Sequence, residues 1–194
     1  MILRELDDNV AIRSLSGENA ESWRAAFTGA YQTVFAEHPY YERYYPSEAE
    51  GLYRKYLRTP GHIILLATRG LNEVVGFGIA IPLERKPSVA VELTGLVPVR
   101  HTMYLAELGL LERYRGRGIG RLLVQERLRA MDRDNFSHVV LRVSTAECPS
   151  SHLYSELGFE EMGVYTEVSS MRVDGRVKTD RRVFLSKVLS QVSV

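Results

Sequence analysis

A basic, glycine-rich stretch at residues 113–123 (RYRGRGIGRLL) combines side chains and spacing that suit an anion. Glycine lets the backbone approach a phosphate closely and adopt positive φ. Where a helix begins in such a stretch, its first N–H groups are unpaired and its dipole is positive at that end. Arg115, Arg117 and Arg121 can add charge-assisted hydrogen bonds to the same oxygens. The stretch therefore predicts a phosphate site at the start of a helix.

Such a site needs a strand before the glycines and a helix after them. Residues 103–111 (MYLAELGLL) are typical of a strand, and the apolar residues after the glycines share one helical face: Leu123, Val124, Leu128 and Met131. The charged residues of this helix are expected on its other faces: Glu126, Arg127, Arg129 and Arg133. We interpret residues 104–134 as a strand–turn–helix unit, because a disordered basic tail would lack the apolar face. A solvated arginine loop that uses its glycines only for turning is the alternative.

The remaining patterns predict a mixed sheet with helices on both faces. An amphipathic helix covers residues 16–37, and Ser47 with Glu50 forms a capping box that opens a second helix at 48–58. Strands are expected at residues 10–15, 62–69, 74–83, 138–143, 160–169 and 183–189. A further short strand is expected at 89–93, and a short helix at 149–157.

Length and composition fit one soluble domain. The chain has 194 residues, 45% of them hydrophobic, and a formal net charge of +1, which gives no overall attraction to nucleic acid or to an anionic membrane. The single cysteine, Cys148, excludes an internal disulfide framework and a cysteine-rich zinc site, and we assign it no catalytic role. The sequence shows neither a signal peptide nor a membrane span, so we expect a cytoplasmic protein with no metal, nucleic acid or membrane partner.

Two motifs resemble those of one known family, the GNAT superfamily of N-acetyltransferases. Residues 115–120 (RGRGIG) are similar to its R/Q-x-x-G-x-G/A motif, and residues 153–159 (LYSELGF) are similar to its L-Y-x-x-x-G-F segment. The two motifs occur in the family's order, and the resemblance covers residues 10–189. It implies an α+β fold: a single-domain, three-layer α/β/α sandwich with a mixed central sheet, spanning residues 1–194.

The resemblance also implies that the glycine turn binds the pyrophosphate of acetyl-CoA, the cosubstrate. The implied cofactor-binding residues are Leu108, Leu110, Arg115, Gly116, Arg117, Gly118, Ile119, Gly120 and Arg121. Backbone groups of Leu108 and Leu110 would pair with the pantetheine arm, and Tyr154 would return a proton to the departing thiolate. Many family members carry an asparagine where this chain has residues 145–148 (TAEC), which is a departure from the family's pattern.

The general base and the acceptor pocket are inferred from individual residues and not from a motif. Glu107 lies on the strand beside the expected reaction centre, so it is a candidate base or amine-orienting group, with a salt-bridged or edge carboxylate as the alternative. Glu92 is a second candidate, and His152 is expected to be exposed. Helices within residues 31–60 are expected on the acceptor side, where tyrosines offer an apolar wall with a polar tip or simply pack on the sheet. The candidate substrate-binding residues are Tyr40, Tyr41 and Tyr44.

These observations predict an N-acetyltransferase. An acetyl group would pass from acetyl-CoA to a primary amine of a small molecule or peptide by direct attack in a ternary complex. Because an amine like that of lysine has a pKa of about 10.4, a base must first take its proton. The alternative is an acyl-CoA-binding sensor or interaction module without turnover. A homodimer is also open, since members of the family frequently dimerise.

Overall fold

The structure, a computed structural model, describes residues 1–17, 19–146 and 149–189, so Cys148 lies outside the described residues. The described part contains one eight-stranded sheet in the order β1-β2-β3-β4-β5-β6-β8-β7. Its strands are β1 (Ile2–Glu5), β2 (Val10–Ser14), β3 (Ile63–Arg69), β4 (Glu73–Pro82), β5 (Thr102–Leu110), β6 (His138–Ser144), β7 (Glu160–Met171) and β8 (Val177–Val188). Neighbouring strands are antiparallel apart from the parallel pair β5 and β6. The sheet is therefore mixed, as predicted.

Helices cover both faces of this sheet. They are α1 (Asn19–Ser22), α2 (Arg24–Ala36), α3 (Pro46–Arg58), α4 (Pro87–Ala90), α5 (Ile119–Ala130) and α6 (Pro149–Glu156). Phe77 of β4 packs its ring 5.4 Å from that of Tyr31 in α2. The next residue, Gly78, faces Arg127 of α5. Because successive strand residues point to opposite faces, α2 and α5 lie on opposite sides of the sheet, which confirms the three-layer α/β/α sandwich. Among the described residues, no helix combines the length and the apolar character needed to cross a membrane.

Aromatic packing fixes α2 against the sheet near the site described below. Phe27, Tyr31 and Phe35 follow one another at spacings of four along α2, so they share a helical face. Their rings lie 5.2, 5.4 and 6.3 Å from the ring of Phe77. Ring pairs at such distances contribute about 0.5–1.5 kcal/mol beyond their buried area. A Cβ at Gly109 of β5 would lie 2.5 Å from the Phe77 ring, so glycine is what permits this close approach.

The predicted short strand at residues 89–93 is wrong. Residues Pro87–Ala90 form helix α4, and Val91–Leu93 continue it as a 3₁₀ turn. Proline is favoured at the first helical position because its φ is already helical and its missing N–H is not needed there. The hydroxyl of Thr94 then donates to the carbonyl of Ala90 at 2.9 Å, which closes the helical segment.

The starts of the first two predicted helices also differ. The predicted capping box of Ser47 and Glu50 is wrong, because Pro46 is already helical and the carboxylate of Glu48 accepts the N–H of Tyr45 at 2.7 Å. The single helix predicted over 16–37 is divided into α1 and α2.

The strands at both ends of the chain extend beyond the prediction. β1 was not predicted, because it is a short and largely exposed edge strand without apolar alternation. β8 begins at Val177 rather than at residue 183. Residues 177–182 are mostly polar or charged, so they show no alternation of apolar residues that would predict a strand. The long β7–β8 hairpin reaches the connection between α2 and α3, where the N–H of Arg43 donates to the carbonyl of Met171 at 2.8 Å.

Candidate functional site

Strands β5 and β6 begin as a parallel pair and then diverge. They pair over three residues, from Thr102 to Tyr104 of β5. Beyond Tyr104, β5 pairs with β4 alone, and beyond Val140, β6 pairs with β8 alone. Ala106 is an extra residue in the pairing of β5 with β4, and a bulge of this kind bends its strand. The sheet is therefore open between the carboxyl ends of two central strands.

A cavity of about 220 Å³ occupies this opening. Its wall includes Glu107 and Leu108 from β5 and Arg142 from β6. Tyr154 of α6 and Tyr40 from the connection between α2 and α3 also line it. The two candidate catalytic residues, Glu107 and Tyr154, thus line one cavity although they lie far apart in the sequence.

The glycine-rich turn connects the end of β5 to α5. Gly116 and Gly118 have φ values of 73° and 77°, the left-handed region that favours glycine. A Cβ on either would meet no heavy atom within 4 Å among the described residues, so both face open space. No described side chain caps α5, so its first-turn N–H groups have no intrahelical partner and no cap, while Ile119 buries its side chain in the core. A Cβ at Gly120 would lie 3.3 Å from Leu110, so this glycine lets α5 start close to β5.

Arg115 braces this turn from the protein side. Its Nε donates to the carbonyl of Leu110 at 3.0 Å, and its Nη1 donates to the carbonyl of His38. Its Nη2 lies 3.3 Å from a carboxylate oxygen of Glu37. The side chain therefore ties the turn to the end of α2, and the Leu110 carbonyl, expected to pair with the cofactor, already has a donor.

Arg117 and Arg121 lie at the surface beside the glycines. The guanidinium of Arg117 is 2.8 Å from a carboxylate oxygen of Asp8, and that of Arg121 pairs with Glu156 of α6. Exposed ion pairs of this kind contribute only about 0–1 kcal/mol. Both arginines can therefore exchange a carboxylate for a phosphate at little cost.

Tyr154 of α6 is buried where it lines the cavity. Its ring packs edge-on against Phe159 with centroids 5.4 Å apart, and 5% of the residue is exposed. Its hydroxyl interacts with the guanidinium of Arg127, and this interaction raises the pKa of Arg127 against the larger lowering caused by burial. The tyrosine is thus held by packing on one side and by a buried cation on the other.

Glu107 faces the opposite side of the sheet, toward α3. Its carboxylate accepts a hydrogen bond of 2.7 Å from the hydroxyl of Tyr56. Burial raises the pKa of Glu107, while the hydrogen bond from Tyr56 and the charge of Lys86 partly oppose that rise. β5 is a central strand, and no described Lys or Arg nitrogen lies within 4.0 Å of this carboxylate. A carboxyl with a raised pKa and no ion pair has the properties of a general base.

Three tyrosines lie near Glu107 on this side: Tyr31 and Tyr56 are buried, and Tyr44 is half-buried. Burial raises the pKa of Tyr31, Tyr44 and Tyr56, and the negative charge of Glu107 raises each of them further. All three therefore stay neutral near pH 7 and act as hydrogen-bond donors.

The three predicted substrate-binding tyrosines occupy different positions. Tyr40 lines the cavity. Tyr44 lies behind the wall, where its ring packs edge-on against Tyr31 at 5.0 Å and its hydroxyl donates to Glu42 at 3.1 Å. Tyr41 is 49% exposed, with its ring 6.0 Å from that of His38. The structure therefore brings only Tyr40 of these three to the cavity surface.

The expectation that Arg127 projects from a polar helix face is wrong, because Arg127 is fully buried. Its Nη1 donates to the carbonyls of Ile79 at 3.1 Å and Glu107 at 2.9 Å, and its Nε donates to Leu123 at 3.1 Å. A Cβ at Gly78 would lie 2.8 Å from this Nε. A glycine inside a strand signals the close approach of another group, so the GFG sequence of β4 was the available clue.

A buried network of charges was also missed by the sequence analysis. Glu42 is 4% exposed, and its carboxylate lies 3.6 Å from Arg182 and 3.9 Å from Arg172. Arg172 also pairs with Asp180 of β8. These residues come from the α2–α3 connection and from the β7–β8 hairpin, so no local pattern in the sequence could join them.

The two weaker candidates lie away from this cavity. Glu92 is not among its lining residues. His152 has an 80% exposed side chain and lies 2.9 Å from Glu156, one turn along α6. Within the described ranges, no three acidic, histidine or cysteine side chains are grouped as a metal site would require.

Comparison with models of known families identifies the family of this chain. The model of the acetyltransferase (GNAT) family matches residues 21–159, which is more than half of the chain. The chain therefore belongs to the GNAT acetyltransferase family, as the glycine motif and the LYSELGF segment indicated.

Individual curated relatives match only part of this chain. A probable N-acetyltransferase family 8 member 5 of Mus musculus is 29% identical over 119 residues, covering 61% of this chain and 47% of the relative. An N-alpha-acetyltransferase of Sulfurisphaera tokodaii is 38% identical over 94 residues, covering 48% and 54%. The chain thus spans about half the length of these curated relatives. A phosphinothricin acetyltransferase of Sinorhizobium meliloti, solved in complex with AcCoA, shares the fold with a TM-score of 0.65, 22% identity and coverage of 93% and 89%.

Proposed function

We propose that the protein is an acetyl-CoA-dependent N-acetyltransferase that acts on a primary amine by direct attack within a ternary complex. The observation that carries this proposal is that Glu107 and Tyr154 line the same cavity between β5 and β6. The open glycine turn follows the strand that carries Glu107, after one 3₁₀ turn at Glu112–Tyr114. Family membership and the AcCoA complex of the Sinorhizobium meliloti neighbour support the choice of cosubstrate.

The residues present fit acetyl-CoA, which would supply the acetyl thioester. Gly116 and Gly118 face open space at the uncapped start of α5, where backbone N–H groups suit a pyrophosphate. Arg117 and Arg121 can add charge-assisted hydrogen bonds from the rim of this turn. Leu108 lines the gap between the diverging strands, which suits an extended pantetheine arm.

Glu107 and Tyr154 carry out different proton transfers in this proposal. Glu107 accepts a proton from the ammonium form of the acceptor, so that the neutral nitrogen can attack the acetyl carbon. The new C–N bond forms and the C–S bond breaks as Tyr154 donates its hydroxyl proton to the sulfur. The nitrogen then loses its second proton, which restores the Tyr154 hydroxyl, and Glu107 releases the first proton to solvent. Holding amine and thioester together in one small cavity contributes most to the rate.

A thiol-release assay with acetyl-CoA, longer acyl-CoAs and a panel of primary amines tests this function. We expect saturable release that depends on the amine, with intersecting lines in double-reciprocal plots as a ternary complex requires. Parallel lines would indicate an acyl-enzyme and contradict direct attack. Calorimetric binding of acetyl-CoA without thiol release from any amine would contradict the enzyme and favour a sensor.

A further inference from the structure

The cavity is lined by more positive than negative side chains. Its acidic and basic lining residues within the described ranges are Glu42, Glu107, Arg142, Arg172, Lys178, Asp180 and Arg182. Asp180 is occupied by Arg172 and by Lys178, whose Nζ lies 3.3 Å away. Glu42 is shared between Arg172 and Arg182. The acidic residues of the wall are therefore already paired, apart from Glu107.

Arg142 is left without a counter-charge. No carboxylate of the described residues lies within 4.0 Å of its guanidinium. Its Nε is buried and makes no hydrogen bond to the described residues, although its side chain does interact with the hydroxyl of Tyr104. Lys86 adds a second positive charge nearby. Arg142 is half-buried, and its buried Nε is a donor that an anion in the cavity would satisfy.

Glu107 does not serve as that anion. Its carboxylate is committed to the hydroxyl of Tyr56 at 2.7 Å, and burial raises its pKa. No guanidinium nitrogen of Arg142 lies within 4.0 Å of this carboxylate, so the two groups form no ion pair. The unmatched charge of Arg142 is thus available to a ligand in the cavity.

The hairpin limits the size of that ligand. Backbone hydrogen bonds join the hairpin to the α2–α3 connection, from Arg43 to Met171 at 2.8 Å and from Val173 to Tyr41 at 2.9 Å. Both segments carry lining residues, such as Tyr40 and Arg172, so this bonded seam bounds one side of the cavity. The volume of about 220 Å³ lies below the roughly 300–1,000 Å³ of drug-sized pockets.

We infer that the acceptor is a small amino-acid-like molecule whose carboxylate binds Arg142 while its amine faces Glu107. This inference rests on the proposed function and narrows it, because simple amines and long peptides become poor substrates. An arginine can hold a carboxylate through two parallel N–H donors, which orients the amine on the adjacent carbon. The tyrosines around the cavity then contact the remaining side chain of the acceptor.

Matched acceptor pairs test the inference. Thiol release is measured for L-phenylalanine against phenethylamine, for L-leucine against isoamylamine, and for a peptide beginning with phenylalanine. We expect kcat/KM to be about 10- to 150-fold higher for the amino acid of each pair, the ratio that one charge-assisted hydrogen bond gives. In Arg142→Gln this ratio should fall to about one, whereas Arg142→Lys should keep part of it. Arg58→Gln, which removes an exposed arginine of α3 outside the cavity, should leave the ratio unchanged.

Direct binding separates this inference from the proposed function. Calorimetry measures L-phenylalanine and phenethylamine on wild-type protein in the presence of CoA, without turnover. Tighter binding of the amino acid that is lost in Arg142→Gln supports the inference even where no thiol is released. Absence of thiol release would contradict only the proposed enzymatic function. Equal binding and equal kcat/KM within each pair, or a peptide that matches the free amino acid, overturns the inference on wild-type protein alone.

Discussion

Gly78→Ala should destabilise the protein by driving Arg127 from its pocket. The added Cβ would lie 2.8 Å from Nε, 3.1 Å from Cζ and 3.2 Å from Cδ of Arg127, all closer than ordinary contact. Because Arg127 is fully buried, its guanidinium has no solvent to swing into. Overpacking of this kind costs about 1–3 kcal/mol. For a chain of this length that corresponds to a fall in Tm of about 2–12 °C.

A double-mutant cycle measured by thermal or urea unfolding assigns this cost to Arg127. In an Arg127→Met background the Gly78→Ala change should lose most of its effect, since the group it strikes has gone. Gly29→Ala is the matched control, because its Cβ would meet no described heavy atom within 4 Å and it lies within α2. It should be neutral or stabilise by up to about 1 kcal/mol. Equal costs of Gly78→Ala in both backgrounds would refute the reasoning.

Three further changes test the two faces of the cavity. Glu107→Gln should lower kcat by about 10²- to 10⁴-fold and abolish the rise of kcat/KM with pH that deprotonation of Glu107 produces. An unchanged kcat in this variant would exclude Glu107 as the base. Folding raises the pKa of Glu107, so this carboxyl lowers the stability of the protein once pH exceeds its unfolded pKa. The Gln variant should therefore also melt at a higher temperature at neutral pH. Tyr56→Phe removes the hydrogen bond that lowers the Glu107 pKa, and should therefore move the acidic limb of the pH profile to higher pH; a shift to lower pH would contradict this. Tyr154→Phe should lower kcat more than acetyl-CoA affinity, and wild-type turnover would reduce Tyr154 to a packing residue.

The strand–turn–helix unit could be predicted because its signals are local. A strand pattern, glycines at short spacing and an apolar helical face all lie within residues 104–134. The boundaries failed where a local rule had a competitor, as when Pro46 started α3 before the serine that was expected to cap it. The mixed sheet followed from the order of elements and needed no exact boundary.

The residues that complete the cavity could not be predicted in the same way. Arg127 looks like a surface arginine by helical periodicity, and only the missing side chain at Gly78 on another strand makes room for it. Glu42 and Arg172 meet because the hairpin folds back onto the α2–α3 connection. Tyr40 and Tyr41 are neighbours of one type, and no pattern says which of them faces inward. Contacts between distant segments decide each of these cases.

Calorimetric titration of acetyl-CoA into wild-type protein and Gly118→Glu tests the central claim that the glycine turn holds the pyrophosphate. The glutamate would place a negative charge at the open start of α5, so the account requires affinity to fall by at least about tenfold. Gly70→Glu is the matched control, since Gly70 also has positive φ and open space at its Cβ among the described residues, in the turn between β3 and β4. Wild-type affinity in Gly118→Glu, or an equal loss in Gly70→Glu, would contradict the account.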